Sequence, residues 1–380
     1  MAHRVLVVIG TRPEAIKMAP VVSALASCAP EVETRIALTG QHTALVDQAL
    51  KVFGLTPDVE LGIMQDGQTL YDVTHRALDG LKTVMEEVKP DIVLVQGDTA
   101  SVFAGALVGF FERVLVGHVE AGLRSHDKWA PFPEEVLRRM TDVLSDYCFA
   151  PTPRAASELL SENVRPDRIY VTGNTVVDAL LSIGRQERQV QNGALRDIMA
   201  AEGSRLVLLT AHRRESFGAP LRDVFGAVRE LADRFGDIDV LYPVHPNPSV
   251  RAPAEELLSG HPRIHLTEPL DYMDLVAALK HASLILTDSG GIQEEAPTFA
   301  TPVLVLRAVT ERPEGVEAGV AELVGTDRGL IVERGAAKLL EDRPTEVANP
   351  YGDGRAGERI ADIVVSALTG RARTTEDWRP

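Results

Sequence analysis

The sequence predicts an α/β protein built as two doubly wound parallel sheets. Three observations carry this. Short β-branched runs alternate with longer amphipathic stretches along the whole 380-residue chain, the pattern of parallel sheets with crossover helices. The first run, Arg4–Ile9, is apolar without interruption, as a strand buried on both faces must be. The alternation runs through twice, over a length that fits about two domains.

In order, Arg4–Ile9 is followed by Pro13, at a favoured first helical position, and by helical apolar spacing to Leu25. Further strands are expected at Arg35–Leu38, Ile92–Val95, Val114–Val116, Tyr147–Ala150 and Ile169–Val171, with helices at Thr69–Val88 and Pro133–Leu144. The second series is Leu206–Thr210, Val240–Pro243, Ile264–Leu266, Leu284–Thr287, Val303–Leu306 and Gly329–Val332. The linker is expected near Gly173–Asn174 or in the polar stretch Arg185–Gly193. Residues 1–172, joined by the last helix at about 357–370, are read as one Rossmann-like domain and residues 173–356 as the other. The tail after Gly370, RARTTEDWRP, reads as disordered.

Composition narrows the partners. The net charge of −16 is spread over both halves, so neither half offers the basic footprint that nucleic acid or an anionic membrane requires. Two cysteines, Cys28 and Cys148, make no disulfide framework and no thiolate zinc motif. The N-terminal stretch lacks the apolar core of a signal peptide. The run Ser101–Phe111 is too short for a membrane span. A cytoplasmic protein is expected.

In open α/β sheets ligands sit beyond the carboxyl ends of the strands, and those positions hold unusual sequence. Gly10-Thr11-Arg12-Pro13-Glu14 follows the first strand, with Lys17 about a turn further on. Glycine allows a tight turn, a helix start offers N–H groups, and Arg12 adds a fork of donors for an anion. A plain βα turn with a solvated arginine is the alternative. Gly-x-Gly-x-x-Gly is absent here, so a nicotinamide cofactor is not expected. Ser289-Gly290-Gly291 follows Leu284–Thr287, with Glu295 a turn into the next helix. That is a seat for a diphosphate with a carboxylate in reach of ribose hydroxyls. Helix capping alone would explain Ser289, but two glycines exceed what a cap needs.

Carboxylates and histidines occupy the other strand ends. Asp98 follows Ile92–Val95. His118 and Glu120 follow Val114–Val116. Glu134 and Glu135 open a helix. His212, Arg213 and Arg214 follow Leu206–Thr210. Singly, each acid is a helix cap more often than a catalyst. Together they suggest proton transfer on a phosphorylated ligand, such as glycosyl transfer or proton chemistry on a nucleotide sugar.

Nine segments then carry a resemblance: GTRPEAIKMAP (Gly10–Pro20), VQGDT (Val95–Thr99), GHVEAGLR (Gly117–Arg124), PFPEE (Pro131–Glu135), AHRRESFG (Ala211–Gly218), YPVHPNP (Tyr242–Pro248), TDSGGIQEEAP (Thr287–Pro297), TERPE (Thr310–Glu314) and NPYGDG (Asn349–Gly354). In this order they closely resemble the non-hydrolysing UDP-N-acetylglucosamine 2-epimerases over nearly the whole chain. The resemblance implies a GT-B-like pair of Rossmann-like domains with the ligand in the cleft between them. It implies reversible inversion at C2 of UDP-GlcNAc to UDP-ManNAc, through elimination of UDP to 2-acetamidoglucal and re-addition. It implies no metal and no other cofactor, and a homodimer.

Residue by residue, Asp98, Glu120 and Glu134 match the family's acidic catalytic positions. His212 matches the histidine near the leaving diphosphate. Arg12, Lys17, Arg138, Arg213, Leu275, Ser289, Gly290, Gly291, Glu295 and Arg312 match UDP-sugar contacts. Gln41, His42 and His245, with Arg213, match the neighbourhood of an allosteric UDP-GlcNAc site. Three departures stand out. Leu137 replaces a usual asparagine beside the acids. Leu275 stands where an aromatic is common near the uracil. Ala44 and Gly67 replace polar allosteric positions, which implies weak or absent allosteric dependence. A 2-epimerase of a modified UDP-sugar, the hydrolysing relative, a GT-B glycosyltransferase and an inactive UDP-sugar regulator are the competing readings; the intact Asp98/Glu120/Glu134/His212 set speaks against the last.

Overall fold

The computed structural model describes residues 2–40, 43–65, 67–186, 189–343 and 347–380. The chain forms two compact units, Met1–Ala179 with Tyr351–Pro380, and Leu180–Pro350. It passes from the first to the second inside one helix and returns between Pro350 and Tyr351.

In the first unit the strands are β1 (His3–Ile9), β2 (Val32–Leu38), β3 (Val59–Glu60), β4 (Ile92–Gln96), β5 (Leu115–Val119), β6 (Tyr147–Ala150) and β7 (Ile169–Val171). They form one sheet in the order β3-β2-β1-β4-β5-β6-β7, with every pairing parallel. The helices between them are α1 (Arg12–Ala26), α2 (Thr43–Val52), α3 (Leu70–Val88), α4 (Ala100–Phe111), α5 (Glu134–Leu144), α6 (Pro153–Ser161) and α7 (Thr175–Gly184). Val5 to Ile9 are buried, so β1 carries helices on both faces. One face packs Leu6, Val8, Val93 and Val95 against the apolar stripes of α3 and α4.

The second unit opens with α8 (Gly193–Ala200). It continues through β8 (Arg205–Thr210), α9 (Ala219–Arg234), β9 (Ile238–Pro243), α10 (Pro248–Leu258), β10 (Ile264–Thr267), α11 (Tyr272–His281), β11 (Leu284–Thr287) and α12 (Gly290–Glu295). It ends with β12 (Val303–Val305), α13 (Pro313–Glu317), β13 (Ala321–Leu323) and α14 (Arg328–Leu340). Its sheet order, β10-β9-β8-β11-β12-β13, reverses between β8 and β11. The first sheet reverses between β1 and β4. In each, the loops after those central strands flank the switch point at which such sheets bind ligands.

Three expectations are corrected. Gly329–Val332 is helical, inside α14. The Asp327 carboxylate accepts the Leu330 amide at 2.7 Å as an N-cap, and Ile331, Gly335, Ala336 and Leu339 then recur on the buried side of the helix. The sixth strand is instead Ala321–Leu323. Two-residue β3 was also missed. The tail is ordered: Trp378 is buried and its amide donates to Val171 O at 2.7 Å. The last helix, α15 (Ala356–Thr369), belongs to the first unit and lies so close to α1 that a Cβ on Gly357 would fall 2.8 Å from Pro20 backbone.

Candidate active site

In the first unit the loops after β1, β4 and β5 bring the expected acids onto one edge of the sheet. Gly10 closes the β1–α1 turn because a side chain there would meet Ser101 Cβ at 2.7 Å. Glu14 organises that turn. Its carboxylate accepts the Gly10 amide at 2.6 Å, the Thr11 hydroxyl at 2.9 Å and the Thr99 hydroxyl of the β4–α4 turn at 2.9 Å. Burial outweighs these bonds and pushes the Glu14 carboxyl up to about 7.

Glu120 sits just past β5 in a left-handed backbone conformation, φ 70°, which a non-glycine residue adopts only when its surroundings hold it there. Lys17 grips it from α1, Nζ donating to the two carboxylate oxygens at 2.6 and 2.8 Å. Gln96 Nε2 donates to Oε2, and Asn174 Nδ2 to Oε1 at 3.4 Å. Glu120 is 9% exposed, so it is a paired carboxylate at the edge of solvent. Lys17, read as a ligand contact, is thus first a partner of an acid.

Asp98, at the end of β4, pairs with Arg138 on α5. Arg138 also reaches Glu135 at 3.3 Å. Arg138, expected at the ligand, thus also holds Asp98. Glu134 is the first residue of α5, where a carboxylate complements the helix dipole. Its Oε2 is buried with no hydrogen-bond partner among the described residues. Arg12 opens α1, half-buried. Leu137 is half-buried and packs against the core that α3 and α4 share with the sheet.

The second unit gathers the expected cationic groups. Asp288, 1% exposed, accepts the His212 and Arg213 amides at 2.6 and 2.7 Å, tying the loop after β8 to the turn after β11. His212 stacks on His245 with ring centroids 5.5 Å apart. Burial lowers the His212 pKa, and the nearby His245 and Arg213 add to this against the pull of Asp288. The ring is therefore neutral near pH 7 and free to donate one ring N–H. A Cβ on Gly290 would stand 3.9 Å from an Arg213 guanidinium nitrogen and 4.0 Å from Arg312 Cζ. The Ser289–Gly291 turn therefore lies between two guanidinium groups. Arg312 is oriented by Glu294, and Thr310 links its amide to Gln293. Glu295 ends α12. Leu275 is half-buried on α11, beside an Asp274 that holds the Gln191 and Asn192 amides. A cavity of about 650 Å³ in this unit is lined by Ser283, Pro302 and Ala321, at the amino ends of β11, β12 and β13, and is not this site.

Gln41, His42 and Ala44 lie outside the residues whose side chains are described, while His245 is engaged with His212 and Gly67 turns the chain with φ 69°. Sequence reasoning missed Gln96, Asn174 and Asp288 as supports. All three lie at strand ends (Gln96 closing β4, Asn174 after β7, Asp288 after β11), so the strand-end rule applied to amides as well as charges would have found them.

An α/β protein with acids at one sheet edge and an arginine-flanked glycine turn at another is, by class, an enzyme-like binder of phosphorylated sugars. The comparisons give the particular family. The model of the UDP-N-acetylglucosamine 2-epimerase family matches residues 26–365, and the chain belongs to that family of epimerases. It is 47% identical to the UDP-N-acetylglucosamine 2-epimerase of Escherichia coli K12, covering 95% of this chain and 98% of that one. It is similar to Staphylococcus aureus MnaA in a co-structure with UDP, with TM-score 0.87, 44% identity, and 99% and 100% of the two chains covered. It is also similar to the Neisseria meningitidis UDP-GlcNAc 2-epimerase bound to UDP-GlcNAc, with TM-score 0.85, 40% identity, and 97% and 100% covered. The fold is GT-B-like, two Rossmann-like units. Among the described residues no helix is long and apolar enough to cross a membrane.

Proposed function

We propose that the chain interconverts UDP-GlcNAc and UDP-ManNAc without net hydrolysis, by eliminating UDP and adding it back. The observation that carries this reading is the set of three carboxylates in the first unit, two just after strands and one opening α5, each in a different setting. Glu120 is gripped by Lys17, Asp98 is paired with Arg138, and Glu134 presents an unpartnered oxygen.

The C2 proton of a pyranose is not acidic. As the C1–O bond to the diphosphate lengthens, C1 gains oxocarbenium character and C2–H acidifies. A carboxylate then removes the proton, and an acid on the other face returns one when UDP adds back. Inversion therefore needs at least two acid/base groups, each contributing about 10²–10⁴ in rate. Arg213, Arg312 and His212 neutralise or donate to the leaving diphosphate beside Gly290 and Gly291, where its charge grows. Arg12 adds a cationic contact at the β1–α1 turn, and Ser289, Glu295 and Leu275 complete the nucleotide contacts. The chain acts as a homodimer, supported by the exposed Phe110, Phe111 and Val143, an apolar face on the adjacent helices α4 and α5 that a second copy covers.

The test is product analysis by NMR after incubation with UDP-GlcNAc. UDP-ManNAc at equilibrium with substrate is the expected outcome. Stoichiometric free ManNAc and UDP would make the enzyme hydrolysing. No turnover, with epimerisation of another UDP-sugar, would move the substrate to a modified sugar.

A further inference from the structure

Beneath the three acids lies a charged cluster that the reaction itself does not use. His118, on β5, is fully buried. Its Nδ1 is 2.6 Å from Asp142 Oδ1 on α5, and its Nε2 is 2.8 Å from Gly97 O in the β4–α4 turn. A carbonyl oxygen can only accept, and so can an ionised carboxylate. Asp142 is ionised, because the permanently charged Arg124 guanidinium donates to its Oδ2 at 2.7 Å. With an acceptor at each end, both ring nitrogens must carry protons.

We infer that His118 is a buried imidazolium and a positioning residue, the pin that fixes the three acid-bearing segments against one another. Gly97 immediately precedes Asp98. Asp142 lies on the helix that Glu134 opens. His118 itself stands two residues before Glu120. Asp142 Oδ2 closes the frame by accepting the Gly122 amide at 3.3 Å and Arg124 at 2.7 Å. Arg124 in turn pairs with Glu162 at 2.8 Å. The charges alternate from His118 through Asp142 and Arg124 to Glu162, which is the arrangement that makes buried ions tolerable. The other groups facing the cluster are Arg139 of α5, on Glu162 at 3.2 Å, and the Cys148 thiol of β6, which burial pushes up and keeps neutral.

This inference rests on the proposed reaction only for its kinetic consequence. In protein labelled with nitrogen-15 histidine, a nitrogen–proton spectrum near neutral pH is expected to show bonded protons on both ring nitrogens of His118, assigned by their loss in His118→Gln. A single protonated nitrogen overturns the proposal. This needs no substrate, so failure of the epimerase reading leaves it decidable. In the active enzyme, Asp142→Asn is expected to slow C2 proton exchange on the order of 100-fold, the cost of misplacing a catalytic group by about 1 Å, while UDP affinity measured calorimetrically is unchanged. Exchange at the native rate in that variant also overturns the proposal, and so does a loss of UDP affinity equal to the loss of rate.

Discussion

Glu120 and Lys17 are 103 residues apart in the chain and meet at 2.6 Å at the proposed site. Replacing Glu120 by Gln is expected to remove C2 exchange and leave UDP binding intact. Native exchange in Glu120→Gln would mean that this carboxylate is not an essential acid/base. Lys17→Met is expected to lower exchange by about 10²-fold or more by stripping the carboxylate of its charge partner. Glu14 offers a separate test through pH. Its folded pKa of about 7 lies above the 4.5 of an ordinary glutamate. The native state therefore holds a proton in that window that the unfolded chain has released, and stability falls as pH rises from about 4.5 to 7. The full difference is on the order of 3 kcal/mol. The urea midpoint of the native protein should decline across that range, and Glu14→Gln should flatten the slope; equal slopes would place the carboxyl in the ordinary range. At this scale the acids were legible, because Asp98 and Glu120 stand just after strands and Glu134 opens a helix. The Asp98–Arg138 pairing was not: it joins distant segments, which spacing along the chain does not encode.

Among the elements, the long buried strands announce themselves and the short ones do not. Val59–Glu60 and Ala321–Leu323 carry too few apolar β-branched residues to show a period. Gly329–Val332 reads as a strand because its apolar run ignores the cap at Asp327. The tail misled through composition: RARTTEDWRP is polar, yet the Asp362 carboxylate gathers the Thr374 and Thr375 amides and hydroxyls. Asp377 accepts the Val171 amide at 3.1 Å. With Trp378, this segment covers the exposed edge of β7, which would otherwise invite pairing with another chain. Trp378→Ala is expected to cost about 3–5 kcal/mol in urea unfolding; a change below about 1 kcal/mol would show that the tail does not dock in solution. The glycine turn after β11 gives the complementary case. A Cβ at Gly290 meets nothing closer than 3.9 Å, so Gly290→Ala should melt like the native protein and still bind UDP at least tenfold more weakly. Native UDP affinity in that variant would remove the turn from the diphosphate site.

The whole molecule shows why the fold was easier to read than the site. Two parallel sheets with reversed central order follow from alternating apolar runs, and each sheet presents its strand ends as a shelf for polar loops. The net charge of −16 argued against polyanionic partners, and the geometry is consistent with one small anion: Arg213 and Arg312 converge on Gly290, a local positive patch within an acidic protein. The measurement that bears most directly on the proposed reaction is incubation of the native enzyme with UDP-GlcNAc in heavy water, followed by NMR at C2. Deuterium at C2 in both epimers, lost in Glu120→Gln, is the expected result. Epimerisation with full retention of the original C2 proton would contradict it.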